Sequence, residues 1–155
     1  MNQGIESVST PDDLVTTNRF YYKVGQHSVL LELELKTEVL MSQTIYPLPF
    51  APDWCKGLAN VRSELVPVID MHKIILGRPA SIQTNLLLVH HPKFPPAVLS
   101  CDGYPKQVKL TKDDLNLIEE NQLPVWLAQR LQYPAERLLV ADHGKLLRYI
   151  RRNSQ

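Results

Sequence analysis

The chain has 155 residues, which predicts one domain, and its 44% hydrophobic and 21% charged residues are typical of a globular protein. Its formal net charge of +1 provides little field to attract phosphate backbones or acidic lipids, so we expect no nucleic-acid partner. The first residues lack the features of a secretory signal, no window resembles a membrane-spanning helix, and the two cysteines are far apart. These features predict a cytoplasmic protein with reduced thiols and no insertion into a membrane.

The first part of the chain changes from a polar segment to a β pattern. Residues 1–18 are rich in Ser, Thr and Asp without a sustained period, and we interpret them as a flexible tail. From Arg19 onwards apolar and polar residues alternate up to a Gly25-Gln26 turn, and the leucines of Leu31–Leu35 alternate with two glutamates. This period of two predicts two half-buried strands paired as a hairpin.

The next part of the chain is punctuated by prolines. A short strand is expected within Thr37–Ile45, after which three prolines interrupt regular structure over residues 47–52. Two further strands are predicted at Leu58–Val61 and Leu65–Ile69, around a charged turn. The proline inside the second of these strands indicates a sheet edge or a bulge.

A short helix is predicted after the second of these strands. Asp70 is placed to act as its N-cap, and Gly77 is placed to end it in a left-handed conformation.

The second half of the chain continues with short apolar runs. Strands are predicted at Asn85–His90, at Ala97–Cys101 and, after an Asp-Gly turn, at Tyr104–Leu110. A capping-box pattern at residues 111–114 predicts the start of a helix. The apolar runs at residues 138–141 and 146–150 predict a closing hairpin around Asp-His-Gly-Lys.

This succession of short strands and Pro/Gly turns predicts an all-β protein, as a barrel or a sandwich. Since strand-rich segments flank Arg78-Pro79 on both sides, two small β units are favoured over one large unit.

The stretch from Gly57 to Asp70 is the most informative part of the chain. A glycine is followed after four residues by Arg62, and then by Val-Pro-Val-Ile-Asp. This pattern resembles the core signature of the CheW-like chemotaxis coupling proteins, which are adaptors that join chemoreceptors to a histidine kinase. Ser63 stands where that family usually has glycine, so it carries backbone strain if the position takes a positive φ.

The resemblance covers about residues 19–151 and implies a fold. It implies an all-β protein with short helices, in which two five-stranded β-barrel subdomains, each similar to an SH3 barrel, pack over a shared hydrophobic core. We therefore expect a tail over 1–18, a CheW-like domain over 19–151 and a C-terminal tail over 152–155.

The resemblance also implies which residues bind the receptor. Gly57 and Arg62 occupy positions that the family associates with receptor recognition, and Glu38 lies in a segment similar to a family Val-x-Glu-Val motif. An arginine beside a tight turn offers five donors in a fixed fork, which suits carboxylates or carbonyls of a partner. The alternatives are an Arg62 paired internally with Glu64 or Asp70, a glycine that only ends a loop, and an ordinary exposed glutamate.

The function implied by the resemblance is that of a non-catalytic adaptor without cofactor or metal. Its partners are the signalling tip of a chemoreceptor and the regulatory domain of a histidine kinase. The kinase is expected to bind at the strand edges of one barrel, and the sequence assigns no residues to that contact. The alternative is a divergent scaffold of another signalling or twitching-motility complex. Three features favour this alternative: Ser63, Lys36, where the family has an apolar residue, and the Pro92–Pro96 loop.

Chemical alternatives find little support in the sequence. A small enzyme using Cys101 with His90 or His91 is conceivable, but the apolar run before the cysteine predicts a buried small hydrophobe. Metal-ligand spacings such as His-x-x-x-His and Cys-x-x-Cys are absent, so we expect no metal site. His143 is expected to be solvated in a turn, and Trp54 to be a wedge between the barrels or an anchor for a partner.

Overall fold

A computed structural model of the chain describes residues 16–41, 43–81 and 84–153. Most of the two predicted tails, residues 1–15 and 154–155, lies outside the described residues. The first strand already begins at Thr16, and the last helix continues to Asn153, so ordered elements extend slightly beyond the predicted domain limits at both ends.

Short strands dominate the described residues. In chain order they are β1 (Thr16–Val24), β2 (His27–Leu30), β3 (Lys36–Leu40), β4 (Ile45–Tyr46), β5 (Cys55–Val61), β6 (Glu64–Ile69), β7 (Asn85–His90), β8 (Ala97–Thr111), β9 (Leu117–Glu119), β10 (Gln129–Leu131) and β11 (Leu138–Val140). Two α-helices accompany them, α1 (Met71–Leu76) and α2 (His143–Asn153), together with 3₁₀ turns at Asp113–Leu115 and Val125–Leu127. The all-β class with short helices is therefore confirmed.

The strands form two barrels that share the long strand β8. The first barrel has the order β4-β5-β6-β8-β7-β3, and the second has the order β8-β1-β2-β11-β10-β9. Ala97–Cys101 pairs with β7, whereas Asp102 and the residues after it pair with β1. Each barrel thus has five strands of its own and half of β8, which confirms the two barrel subdomains.

The boundary predicted at Arg78-Pro79 is wrong. The hairpin β1–β2 comes from the first half of the sequence, but it belongs to the barrel that β9, β10 and β11 complete. The expected break at Asp-Gly in β8 is also absent, because the strand continues through Gly103 with φ +66° and a register shift against β1. A glycine adopts this conformation easily, so the strand bends from one barrel into the other without ending.

Three groups of buried side chains hold this arrangement together. Each barrel has its own small apolar centre, and the largest group lies between the barrels. The group between the barrels includes Tyr22, Ile69, Leu87, Leu99, Leu127 and Leu146, which come from both barrels and from α2. The shared hydrophobic core is therefore confirmed.

Helix α1 has both of the caps that the sequence predicts. The Asp70 carboxylate accepts a hydrogen bond from the backbone N–H of Lys73 at 3.0 Å, which satisfies one of the free donors at the helix start. Gly77 has φ +79°, and its N–H donates to the Lys73 carbonyl. These caps hold the helix directly after β6, so the end of the Gly57–Asp70 segment is fixed.

The closing hairpin predicted at the C-terminus is wrong, because residues 143–153 form helix α2. The Asp142 carboxylate accepts a hydrogen bond from the N–H of Lys145 at 3.0 Å and acts as an N-cap. Leu146, Leu147 and Ile150 lie on one helical face, which is buried in the shared core. The apolar spacing therefore has the period of a helix and not that of a strand.

Two other sequence predictions need correction. The strand expected over Leu31–Leu35 ends at Leu30, and Leu33 is exposed in the turn that follows. The helix expected from residue 111 is a single 3₁₀ turn, although Thr111 donates to the Asp114 carboxylate as in a capping box. Both segments have the local residue pattern of the predicted element, but neither has an apolar face that would extend the strand or the helix.

Candidate functional site

Arg62 lies at the tip of the β5–β6 hairpin, in a strained turn. It has φ +49° and the next residue, Ser63, has φ +72°, while Val61 and Glu64 form the last strand pair. Two-residue hairpins with positive φ at both central positions favour Asn-Gly, because side chains with a Cβ are disfavoured there. The turn therefore holds an arginine in a costly conformation at the surface.

Arg62 and Glu38 form a bidentate ion pair. One guanidinium nitrogen lies 2.8 Å from Glu38 Oε1 and another lies 3.1 Å from Oε2, across 24 residues of sequence. Glu38 is in β3, opposite Leu88 of β7. The structure therefore brings together two of the three predicted site residues. Arg62 therefore pairs internally with Glu38, which was itself predicted to bind the receptor, and not with Glu64 or Asp70.

The electrostatics of this pair are those of an exposed surface. The side chains of Arg62 and Glu38 are 64% and 47% exposed. The hydrogen bonds from Arg62 lower the pKa of the Glu38 carboxyl, and the same bonds raise the pKa of the arginine, so both groups keep their charge at neutral pH. Because solvent screens an exposed pair strongly, it contributes little to stability and its charges remain accessible to a partner.

Gly57 is buried, whereas the other two predicted site residues are exposed. Its φ is +132°, and a Cβ built on it would lie 2.2 Å from the Tyr46 carbonyl oxygen and 3.0 Å from the Cα of Pro47. Of the interpretations considered from sequence, close approach of two backbones is therefore the one that the structure supports. Glycine is required at this position so that β4 can pack against β5.

Leu65 was not singled out by the sequence reasoning. It is 63% exposed on β6, three residues after Arg62, and pairs with Asn60 across the hairpin. Val66 and Val68 are buried on one face of β6, and Leu65 lies on the opposite face, where it is exposed near the hairpin tip. The period of two along a strand was the available signal, and the residue adds an exposed apolar side chain to the hairpin that carries Arg62.

Trp54 precedes β5 at the opposite end of the hairpin from Arg62. The indole is half-buried and packs against the shared core, as expected for a wedge between the two barrels. Its carbonyl accepts a hydrogen bond from the N–H of Asp70 at 2.6 Å. The loop before β5 is thereby tied to the start of α1.

His143 is buried, so the expectation of a solvated turn histidine is wrong. The ring Nδ1 lies 2.6 Å from Glu32 Oε1, the backbone N–H donates to Oε2, and Nε2 lies 2.8 Å from the hydroxyl of Tyr22. An ionised carboxylate only accepts, so Nδ1 carries a proton. The pKa of Tyr22 is raised by burial, and its hydroxyl therefore donates to Nε2 when the histidine is neutral. The network fixes the start of α2 to the second barrel.

A serine, a histidine and an aspartate also meet, but their geometry is that of a structural clamp. His72 Nδ1 lies 2.9 Å from the Ser100 hydroxyl, and Nε2 lies 2.9 Å from an Asp102 carboxylate oxygen. Ser100 is fully buried, and its hydroxyl oxygen also accepts the N–H of Met71. No substrate reaches a hydroxyl in this position, so the three residues join α1 to β8 and perform no nucleophilic chemistry.

Cys101 is unsuited to the role that a small cysteine enzyme would need. It is fully buried in the shared core, and burial, with a smaller contribution from Asp102, raises the pKa of its thiol to about 12. A reactive cysteine is exposed and has a lowered pKa, because the thiolate is the nucleophile. Among the described residues, no group of His, Cys, Asp and Glu side chains could hold a metal ion.

We expect Cys101 to react with a thiol reagent only when the protein unfolds, because its thiol is protonated at neutral pH and has no access to solvent. Mass spectrometry of the labelled peptide measures this separately from Cys55, which is half-buried and serves as an internal control. Fast labelling of Cys101 in the folded protein would contradict the assignment.

The fold and the site define a class of protein. Two barrels share a core, an exposed charged pair stands on a strained hairpin, and the Cys101 thiol and the Ser100 hydroxyl are fully buried; these are features of a protein-binding domain. A family model described as the CheW-like domain matches residues 20–150, and the chain therefore belongs to the CheW-like family.

One curated relative and one solved structure are similar to this chain. The chain is 29% identical over 64 residues to a protein named chemotaxis protein CheW from Treponema pallidum (strain Nichols), and the alignment covers 41% of this chain and 38% of that relative. In fold, the chain is similar to the crystal structure of the scaffolding protein TtCheW from Thermoanaerobacter tengcongensis. That match has a TM-score of 0.66 and 15% identity, and covers 83% of this chain and 90% of the other. Within the part of the chain that is described, no helix has the length and apolarity needed to cross a membrane.

Proposed function

We propose that this chain is a non-catalytic cytoplasmic adaptor that couples a chemoreceptor to a histidine kinase, and that Arg62 and Glu38 form part of its receptor-binding face. The observation that carries the proposal is the bidentate pair between these side chains on the strained β5–β6 turn. Strain at a surface turn is retained where it serves a purpose, and functional sites are where such residues cluster. Family membership supplies the class of partner.

The binding face combines charge with an apolar contact. Both charges of the ion pair are solvent-exposed, and Leu65 on the same hairpin is 63% exposed. Arginine is among the residues that dominate interface energetics, and it binds carboxylates and carbonyls in a fixed geometry. The buried Gly57 takes part only indirectly, by setting the distance between β4 and β5.

The kinase is proposed to bind at the edge of a barrel. In the described residues β3, β4 and β9 each pair with one neighbouring strand only. The unpaired backbone groups of such an edge accept hydrogen bonds from a partner. Two separate faces then allow the adaptor to transmit a receptor's conformational preference to the kinase as a difference in binding free energy.

The test is co-sedimentation with receptor-containing membranes, with and without kinase. Arg62→Glu is expected to weaken receptor binding at least about tenfold, because two carboxylates then repel each other where the pair stood. The free energy of unfolding is expected to change by less than about 1 kcal/mol, since the pair is exposed. Urea denaturation measures this second quantity.

The matched control is Arg137→Glu. Arg137 is also exposed, 53% in its side chain, and also makes a bidentate pair with a glutamate, Glu120, but in the second barrel. Its substitution should leave receptor binding unchanged. Equal losses in the two variants, or an Arg62→Glu protein that is unfolded, would show that Arg62 has a structural role only.

A further inference from the structure

Strand β8 passes from one barrel into the other at Asp102 and Gly103. Ser100 still pairs with β7 of the first barrel, whereas Asp102 already pairs with β1 of the second. Asn85 of β7 donates a hydrogen bond to the Gly103 carbonyl at 2.7 Å, which ties the bend to the first barrel. Since glycine tolerates many other backbone angles, the course of β8 alone does not fix how the second barrel is oriented.

The Asp102 carboxylate connects elements of the two barrels. Its Oδ1 lies 2.9 Å from Nε2 of His72, in helix α1 of the first barrel. Its Oδ2 accepts a hydrogen bond at 2.7 Å from the backbone N–H of Gly25, in the β1–β2 turn of the second barrel. Hydrogen bonds to a carboxylate are stronger than those between neutral groups. One side chain therefore holds α1 and the β1–β2 turn together, across 30 and 77 residues of sequence.

The His72 ring spans the point where β8 changes barrel. Its Nδ1 lies 2.9 Å from the hydroxyl of Ser100 on the first-barrel side, and its Nε2 faces Asp102 on the second-barrel side. A carboxylate only accepts, so Nε2 carries a proton, and the Ser100 hydroxyl donates to Nδ1 of the neutral ring while it accepts the N–H of Met71. Every polar atom of the ring has a partner, so its orientation is fixed.

Packing also brings α1 against the β1–β2 turn. A Cβ built on Gly25 would lie 3.0 Å from Cδ1 of Leu76, the last residue of α1. The apolar core between the barrels resists their separation, but burial of apolar surface is non-directional and does not by itself select one rotation. Hydrogen bonds weaken steeply when their angle changes, so the bonds of Asp102 favour one orientation of the barrels.

We propose that His72, Ser100, Asp102 and Gly25 form an inter-barrel clamp, which sets the orientation of the second barrel relative to the first. Asp102 supplies both connections, and His72 holds its carboxylate in place from the buried side, with a side chain that is 8% exposed. Both are positioning residues, because they act on the arrangement of the barrels and contact no partner.

The inter-barrel clamp has a consequence for signalling that rests on the proposed function. The Arg62–Glu38 pair lies in the first barrel, and the edge strand β9 lies in the second. With the receptor at the pair and the kinase at β9, a fixed orientation lets one binding event affect the other. Release of the clamp should therefore leave the binding of each partner alone unchanged and remove the coupling between them.

Nuclear magnetic resonance of the full-length protein tests the clamp without any partner. Residual dipolar couplings of backbone amides give the orientation of each barrel in a weakly aligned sample, and one alignment tensor should describe both barrels of the unchanged protein. In Asp102→Ala the two barrels should require different tensors. The amide of Gly25, in an exposed turn, should exchange at least about tenfold faster because it loses its acceptor. The neutral His72 ring should show its proton on Nε2.

Three further variants separate orientation from stability. His72→Leu removes the donor to Asp102 and should also require two tensors, whereas His72→Gln keeps an N–H donor and should require one. The matched control is Asp114→Ala, since the Asp114 carboxylate also accepts two hydrogen bonds, at 2.7 and 2.9 Å, but both come from Thr111 in the same barrel. It should lose stability in urea and keep a single tensor.

The proposal is overturned if His72→Leu and every folded Asp102→Ala sample keep a single tensor, or if Asp114→Ala changes the orientation as they do. For the signalling role, the ratio of kinase affinity with receptor to that without it should fall to about one in His72→Leu. A changed orientation with an unchanged ratio would overturn that role. An unchanged protein that binds no receptor would instead contradict the proposed function, and the dipolar couplings would still decide whether the clamp exists.

Discussion

Gly57→Ala is expected to destabilise the protein by about 3 kcal/mol or more, measured as the free energy of unfolding in urea. The added Cβ would lie 2.2 Å from the Tyr46 carbonyl oxygen, and the atoms in its way belong to the backbone. A flexible side chain could move aside, but here β4 must separate from β5. The φ of +132° adds strain, since side chains with a Cβ rarely adopt it.

The control for this variant is Gly103→Ala. Gly103 also has a positive φ, +66°, but a Cβ at this position meets no atom within 4 Å. It should cost only about 1–2 kcal/mol, which is the cost of the left-handed conformation. The difference between the two variants measures the close approach of β4 to β5. Equal losses would show that backbone conformation alone explains why glycine is needed at position 57.

Gly57→Ala also has a consequence for binding. Because Gly57 is buried, its substitution can reach a partner only through a displaced β4–β5 pair. We therefore expect any loss of receptor binding in this variant to follow the loss of stability. In Arg62→Glu, by contrast, binding should fall while stability stays nearly unchanged. The two variants together separate a structural glycine from a contacting arginine.

Glu32→Gln is expected to destabilise the protein by about 3 kcal/mol at neutral pH. The Glu32 carboxylate accepts hydrogen bonds from the ring Nδ1 and from the backbone N–H of His143, whose side chain is 1% exposed. An amide in its place offers one acceptor oxygen for two donors, and its NH₂ group faces a donor. The start of α2 then loses a bond that ties it to the second barrel.

The contribution of Glu32 to the free energy of unfolding is expected to decrease as the pH falls. Partial burial raises the pKa of the carboxyl, but the hydrogen bonds and charge of His143 outweigh burial, and the net pKa lies below the usual 4.5. A carboxyl with a lowered pKa in the folded state stabilises the protein above its unfolded-state pKa, and this contribution is lost as the pH falls through the folded-state pKa. The unchanged protein should therefore lose stability in acid, and Glu32→Gln should lose less.

The matched control is Glu34→Gln, two residues further along the same connection and exposed. It should change the free energy of unfolding by less than about 0.5 kcal/mol. The same acid dependence of stability in Glu32→Gln and in the unchanged protein would show that another group is responsible. Urea titrations across the acid range measure all three proteins.

The local elements of the candidate site could be predicted from the sequence. Two short apolar runs around a charged turn predicted the strands of the β5–β6 hairpin, and Asp70 and Gly77 predicted both ends of α1. These signals are local, because strand period, helix caps and tight turns depend on neighbouring residues. Arg62 could be singled out for the same reason, together with the resemblance that surrounds it.

Other features depend on contacts between distant residues. The pair of Arg62 with Glu38 spans 24 residues, and the bond between His143 and Tyr22 spans 121. The sequence around His143 suits a turn as well as a helix start, and burial of one face of α2 in the shared core decides between them. Local propensity is a weak signal that tertiary packing overrides.

The all-β class, the β5–β6 hairpin and the resemblance of the Gly57–Asp70 segment to the CheW-like family could all be predicted from the sequence. The unbroken course of β8 through Gly103 from one barrel into the other, and the place of β1 and β2 in the second barrel, become visible only in the folded chain. Strand period and turn residues act over a few neighbours, so they leave such long-range pairings open. Which strands pair is instead set by the apolar surface that they bury together across the whole chain.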